Sequence, residues 1–136
     1  NVNIRRNTSA DPCLTSLYQF SEAIISIYPE IPFIEESYLS YHQNIVIEEN
    51  EFHAFDYPVL YAKSVDGLVF RNNTITRSYR FEPFHPRRYS FSFEYCDHVK
   101  ISGNTISNDV LGKNISLVGM KRKQVNVQKG QSLKFE

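Results

Sequence analysis

The sequence predicts an all-β fold, a right-handed parallel β-helix of about four to six coils, and three observations predict it. A short pattern recurs along the chain. Within each copy, apolar and polar residues alternate as they do in a strand buried on one face. An asparagine then closes each copy three residues after the second apolar position.

The copies run Asn44-Ile-Val-Ile-Glu-Glu-Asn50-Glu-Phe52, Gly67-Leu-Val-Phe-Arg-Asn-Asn73-Thr-Ile75 and His98-Val-Lys-Ile-Ser-Gly-Asn104-Thr-Ile106. Asn1-Val-Asn-Ile-Arg-Arg-Asn7 is a partial copy that lacks the last apolar member. One such strand cannot bury its face alone, whereas coils stacked on one another share a continuous core. Asn suits the corner because it tolerates left-handed backbone and its amide can bond the amides above and below. Asn7, Asn50, Asn73 and Asn104 are therefore predicted to form a ladder. The interval from Asn50 to Asn73 is 23 residues, a usual solenoid period. Asn73 to Asn104 is 31, one coil plus eight residues, and Asn7 to Asn50 is 43, two coils or one coil with a long excursion.

Two proline-bracketed segments, Pro29–Pro32 and Pro83–Pro86, each end 15 residues before an apolar rung, Ile47 and Ile101. They read as equivalent loops leaving the coil, since proline cannot donate to a ladder. Tyr89-Ser-Phe91-Ser-Phe93-Glu-Tyr95 follows the second as a strictly alternating strand, its aromatics a core face. Pro58-Val-Leu-Tyr-Ala opens its counterpart one coil earlier. Residues 10–33 form an irregular or partly helical excursion. Asp11-Pro12 supports a helix start, while Ile25-Ser-Ile27 fits a strand. Residues 113–136 read as a C-terminal cap with two short alternating runs, and Lys121-Arg-Lys123 discourages edge-to-edge pairing there. At roughly 4.8 Å per coil the solenoid is a stub about 20–30 Å long. Because the chain opens inside a repeat, the expectation is a segment of something longer, packed on upstream coils of the same polypeptide.

Composition narrows the function. The chain has 136 residues, 41% hydrophobic and 22% charged, in the globular range. Fifteen basic residues balance fifteen acidic ones, which argues against a nucleic-acid partner bound by bulk positive charge. The balance is uneven, with six basic side chains and one acid in residues 113–136. No apolar run approaches the ~18 residues of a membrane span, and the start carries no secretory signal. Cys13 and Cys96 fit no zinc pattern. Cys96 suits a buried thiol, and a Cys13–Cys96 bridge is the alternative.

A β-helix that exposes aromatics and carboxylates offers a long shallow groove suited to a carbohydrate. Hydrolysing a glycoside needs two carboxyl groups, one to protonate the leaving oxygen and one to act as base or nucleophile. Glu48, Glu49, Glu51 and Asp66 flank the repeat corner, where a solvated turn is the plain reading. Asp56, with Tyr57 in Phe55-Asp-Tyr-Pro58, and Glu82, in Phe81-Glu-Pro-Phe84, sit among aromatics where burial would raise a carboxyl pKa. With His85, Arg87 and Arg88 of the same loop, they are the candidate substrate-binding residues. Neither His53–Asp56 nor Cys96–His98 has the ligand count of a metal site, so no metal and no cofactor are expected. His98 takes a corner position filled by Asn or Gly in other copies. The tripeptides at Asn7, Asn72 and Asn114 fit the glycan-acceptor pattern, which asparagine-rich corners also generate by chance.

The stretches Phe55–Ile75 and Phe91–Ile106, followed by Val110-Leu-Gly-Lys-Asn114, resemble the C-terminal part of bacterial α-1,3-galactosidases, β-helix glycoside hydrolases. The likeness covers roughly residues 27–119. It implies an exo-acting, inverting hydrolase, secreted or periplasmic, that removes terminal α-1,3-linked galactose from glycans without a cofactor. In that family the essential carboxylates lie on coils upstream, so the resemblance carries no catalytic residue onto this chain. The alternatives are a polysaccharide lyase segment, with Arg71, Arg77 or Arg80 as base, and a non-catalytic carbohydrate-binding module.

Overall fold

The structure, a computed structural model, describes residues 1–10, 22–30, 40–54, 58–82 and 87–136. Among the described residues fourteen strands follow one another: β1 (Val2–Arg5), β2 (Thr8–Ala10), β3 (Ile25–Ile27), β4 (His42–Glu48), β5 (Glu51–Ala54), β6 (Leu60–Lys63) and β7 (Val65–Arg71). They continue with β8 (Thr74–Arg77), β9 (Tyr89–Glu94), β10 (Asp97–Ser102), β11 (Thr105–Ile106), β12 (Asn114–Val118), β13 (Val125–Val127) and β14 (Lys134–Phe135). A 3-10 turn spans Arg122–Gln124. No helix among the described residues is long and apolar enough to cross a membrane.

Up to β13, every third strand falls in the same sheet. The first sheet runs β1-β4-β7-β10-β13, the second β2-β5-β8-β11 and the third β3-β6-β9-β12-β14. All eleven pairings are parallel. This is the predicted parallel β-helix, with five rungs in its first and third sheets.

The alternating pattern sets the register. Ile4, Ile47, Phe70, Ile101 and Val127 lie opposite one another along the first sheet, and Val2, Ile45, Leu68, Val99 and Val125 form the parallel file. Phe52 opposes Ile75 in the second sheet, while Leu60, Phe91 and Ile115 align in the third. Phe70 and Phe91 are fully buried and meet edge to face with ring centroids 5.0 Å apart. Phe91 and Phe93 are core residues, as the sequence predicts. Cys96 is a buried free thiol whose Sγ lies 3.3 Å from the Ala62 carbonyl. Burial pushes its pKa up to about 11, so it is a packing residue rather than a nucleophile. Cys13 lies outside the described residues.

The asparagine column forms as predicted. Asn7 Nδ2 donates to Asn50 Oδ1 at 3.1 Å, Asn50 Nδ2 to Asn73 Oδ1 at 3.0 Å, and Asn73 Nδ2 to Asn104 Oδ1 at 3.2 Å. Each of those oxygens also accepts the backbone N–H of the asparagine before it. The column goes one rung further than the sequence suggested, because Asn104 Nδ2 donates to Gln131 Oε1 at 2.9 Å. One detail differs. The left-handed residue at each corner is the one preceding the asparagine: Arg6, Glu49, Asn72 and Gly103, with φ of 56°, 56°, 54° and 65°. The asparagine is needed for its amide rather than its backbone freedom.

Of the two readings of the 43-residue interval, one coil with a long excursion holds, since β1 pairs directly with β4. The proline segments are not equivalent in chain order, which corrects the sequence reading: Pro29 follows β3 and precedes β4 of the first sheet, whereas Pro83–Pro86, themselves outside the described residues, come between β8 of the second sheet and β9 of the third. The strand reading of Ile25–Ile27 holds, and the helix reading after Asp11-Pro12 lies outside the described residues.

Candidate functional site

The corners of the coil are unequal. Passing from the first sheet to the second takes two residues in each coil, closed by the asparagine column. Passing from the second to the third takes more, and the described residues 78–82 and 87–88, then 107–113 on the next turn, lie outside the strands there. Three of the six predicted binding residues fall at this corner. Glu82, Arg87 and Arg88 lie on it, all exposed. Glu82 therefore lacks the burial that its aromatic neighbours in sequence suggested. Arg87 and Arg88 line a shallow depression with Tyr89, Asn114 and Glu136. Asp56, Tyr57 and His85 lie outside the described residues.

A cluster that sequence reasoning missed ties the two excursions together. Tyr79, 69% exposed, donates its phenolic hydrogen to Asp109 Oδ2, and Ser107 Oγ donates to Asp109 Oδ1 at 2.7 Å. The Arg77 guanidinium lies 4.7 Å from the centre of the Tyr79 ring, and that of Arg80 lies 5.4 Å from the Phe81 ring. The hydrogen bond from Tyr79, with that from Ser107, holds the Asp109 carboxyl below the usual carboxylate range. The same bond, ahead of desolvation, raises the Tyr79 phenol. Val110, 8% exposed, anchors this second excursion in the core, and Lys113 Nζ donates to the Asn108 carbonyl at 2.8 Å. A signal for this pair did exist. The asparagine offset from this coil to the next is 31, and Tyr79 and Asp109 are 30 apart.

A second polar group lies on the outer face of the first sheet. Asp66 and Asp97 are register partners on β7 and β10. His98 Nδ1 is 2.7 Å from Asp66 Oδ1 and 3.9 Å from Asp97 Oδ1. The hydrogen bond to Asp66, then the charge of Asp97, raises the His98 pKa. His98 has φ of 49° and occupies the column of Asn44 and Gly67, at 55° and 78°, as its repeat position implied. Both carboxylates are nearly half exposed and stand in water rather than in an enclosed pocket. Towards the asparagine corner, Glu48 accepts from Arg71 Nε at 2.8 Å and faces Arg5 Nε at 3.9 Å, a charge ladder across three coils. Such exposed pairs contribute little to stability.

Fold and site together define a class: a parallel β-helix with an internal amide ladder, whose excursions gather rings and charges at one corner. The particular likeness is sharper. Over 135 residues, 99% of this chain, the sequence is 46% identical to alpha-1,3-galactosidase B of Bacteroides thetaiotaomicron, covering 22% of that protein. It is 51% identical over 105 residues to alpha-1,3-galactosidase B of Phocaeicola vulgatus, and 50% identical over 105 residues to that of Bacteroides fragilis. Those matches cover 74% of this chain and 18% of each relative. The resemblance read from the sequence is thus borne out. The chain spans about a fifth of the length of these curated relatives. No family model matches it.

Proposed function

We propose that this chain is a C-terminal β-helix segment of a secreted or periplasmic glycoside hydrolase that releases terminal α-1,3-linked galactose from glycans. The observation that carries this reading is the 46% identity to a protein named alpha-1,3-galactosidase B along nearly the whole chain. In this reading the segment is not catalytic alone. It extends the solenoid, packs on upstream coils and presents its corner excursions to the glycan. The geometry supports that division of labour. Asp66 and Asp97, the carboxylates held about one histidine, lie on an open sheet face, whereas glycoside hydrolysis uses a carboxyl pair across an enclosed bond.

The test is galactose release from an α-1,3-galactosyl oligosaccharide, measured for residues 1–136 alone and for the same residues replacing the matching fifth of the Bacteroides thetaiotaomicron relative. The hybrid should release galactose and the isolated chain should not. Release by residues 1–136 alone would overturn the non-catalytic role. A folded but inactive hybrid would overturn the galactosidase reading. An unsaturated product absorbing in the ultraviolet would favour a lyase instead.

A further inference from the structure

The excursion that follows β8 presents two rings to solvent. Tyr79 is 69% exposed and Phe81 is 40% exposed, each with a guanidinium over it. Tyr79 is also not a loose side chain. Its hydroxyl is fixed by Asp109 from the next coil, and Asp109 is itself fixed by Ser107. The ring is thereby held at both its face and its tip, with most of its surface left to water.

We infer that Tyr79 is a stacking platform for one pyranose ring of a neutral glycan, with Arg77 and Asp109 fixing its plane. This rests on the galactosidase reading for the identity of the sugar, but the geometry speaks for the ligand class. An aromatic face offers an apolar plane of the size of the C–H face of a sugar. The polar groups placed at the ring itself are Asp109 at its hydroxyl and Arg77 at its face, either of which can also meet a sugar hydroxyl. A cationic ligand is disfavoured, because Arg77 already occupies the ring quadrupole and would repel it. A protein partner would need a broad apolar patch, and these two rings are set among charges.

The experiment uses the full 136-residue chain with α-1,3-galactobiose and, as a galactose-free control, maltotriose. Binding is followed by saturation transfer and by the Tyr79 ring signals. Galactobiose should bind, with protons of one sugar face receiving transfer from Tyr79. Tyr79→Ala should weaken binding about tenfold or more. Tyr79→Phe, which keeps the face and loses the Asp109 bond, should weaken it about threefold or less. Equal binding to wild type and Tyr79→Ala, or none to either, overturns the inference. So does an equal loss in Tyr79→Phe and Tyr79→Ala, which marks the Asp109 bond as a loop tie. Thermal unfolding of each variant confirms that the fold is intact, as expected for a residue outside the core. The two readings fail separately. Galactose release by the hybrid without an effect of Tyr79→Ala on binding sinks only the platform. Binding at Tyr79 with no galactose release by the hybrid sinks only the galactosidase reading, and maltotriose binding as tight as galactobiose leaves a platform for pyranoses in general.

Discussion

At the scale of the residue, Asn73 makes four hydrogen bonds through one amide. Its Oδ1 accepts the backbone N–H and side-chain N–H of Asn50, and its Nδ2 donates to the Ile47 carbonyl and to Asn104 Oδ1. It is 1% exposed, so losing the amide strands buried donors that water cannot reach. Asn73→Ala should cost about 3 kcal/mol or more in denaturant unfolding. Asn7→Ala, on the exposed first rung, should cost about 1 kcal/mol or less. Equal costs would show that the column is not what holds the corner. His98 gives a test by pH. Its pKa is raised above 6.5 by Asp66 and Asp97. The sign follows: the imidazolium's contribution is fully present below the unfolded pKa and is lost as pH rises through the folded one. An NMR titration of His98 should show a midpoint above 6.5, and Asp66→Asn should lower it. Both asparagines and His98 were visible in the repeat, because a corner position recurs at a fixed offset. The Asp66 contact was not, since it depends on side chains of two coils meeting on an outer face.

At the scale of the element, the excursion of residues 107–113 packs against the backbone of Arg87 and Arg88 at Gly112. A Cβ on Gly112, where φ is +71°, would lie 2.4 Å from the Arg87 carbonyl oxygen and 2.9 Å from the Arg88 carbonyl carbon. Backbone atoms cannot swing aside. Gly130, at φ +86°, would have nothing within 4 Å of its Cβ. Gly130→Ala should therefore cost only the left-handed backbone, about 1–2 kcal/mol. Gly112→Ala should cost about 2 kcal/mol more and displace Arg87 and Arg88, read from denaturation and from their amide shifts. Similar costs at the two sites would refute the packing argument. The strands themselves were legible, because period-two alternation is local and each rung's inward residues are simply its apolar ones. The corner used by each excursion was not. Pro32 and Pro86 are equally far in sequence from the next rung, yet one precedes β4 of the first sheet and the other β9 of the third, because a coil closes at the same length wherever the extra residues are inserted.

At the scale of the whole molecule, stability passes from coil to coil through the core. Phe70 touches Phe52 of the preceding coil, with centroids 6.0 Å apart, and Phe91 of its own, at 5.0 Å. A cavity there faces both neighbours. Phe70→Ala should lose about 3–5 kcal/mol and lower the single unfolding transition of the chain as a unit. A second, unshifted transition would mean that the coils fold independently. The same continuity explains why the first sheet runs on to Val125–Val127 and the amide column to Gln131, past the last recognisable repeat. Gln131 carries an amide one methylene longer than asparagine, and no sequence pattern marks it.

The sequence by itself determined that short amphipathic strands stack in parallel with asparagine at one corner. Alternation, corner chemistry and repeat length are local properties, and each is satisfied in turn as the chain is read. Only the tertiary structure decided which excursions share a corner, that Glu82 stands in water, and that Tyr79 meets Asp109. Those facts depend on how residues a full coil apart line up when insertions of unequal length are accommodated, and that alignment is settled by packing around the axis rather than by order along the chain.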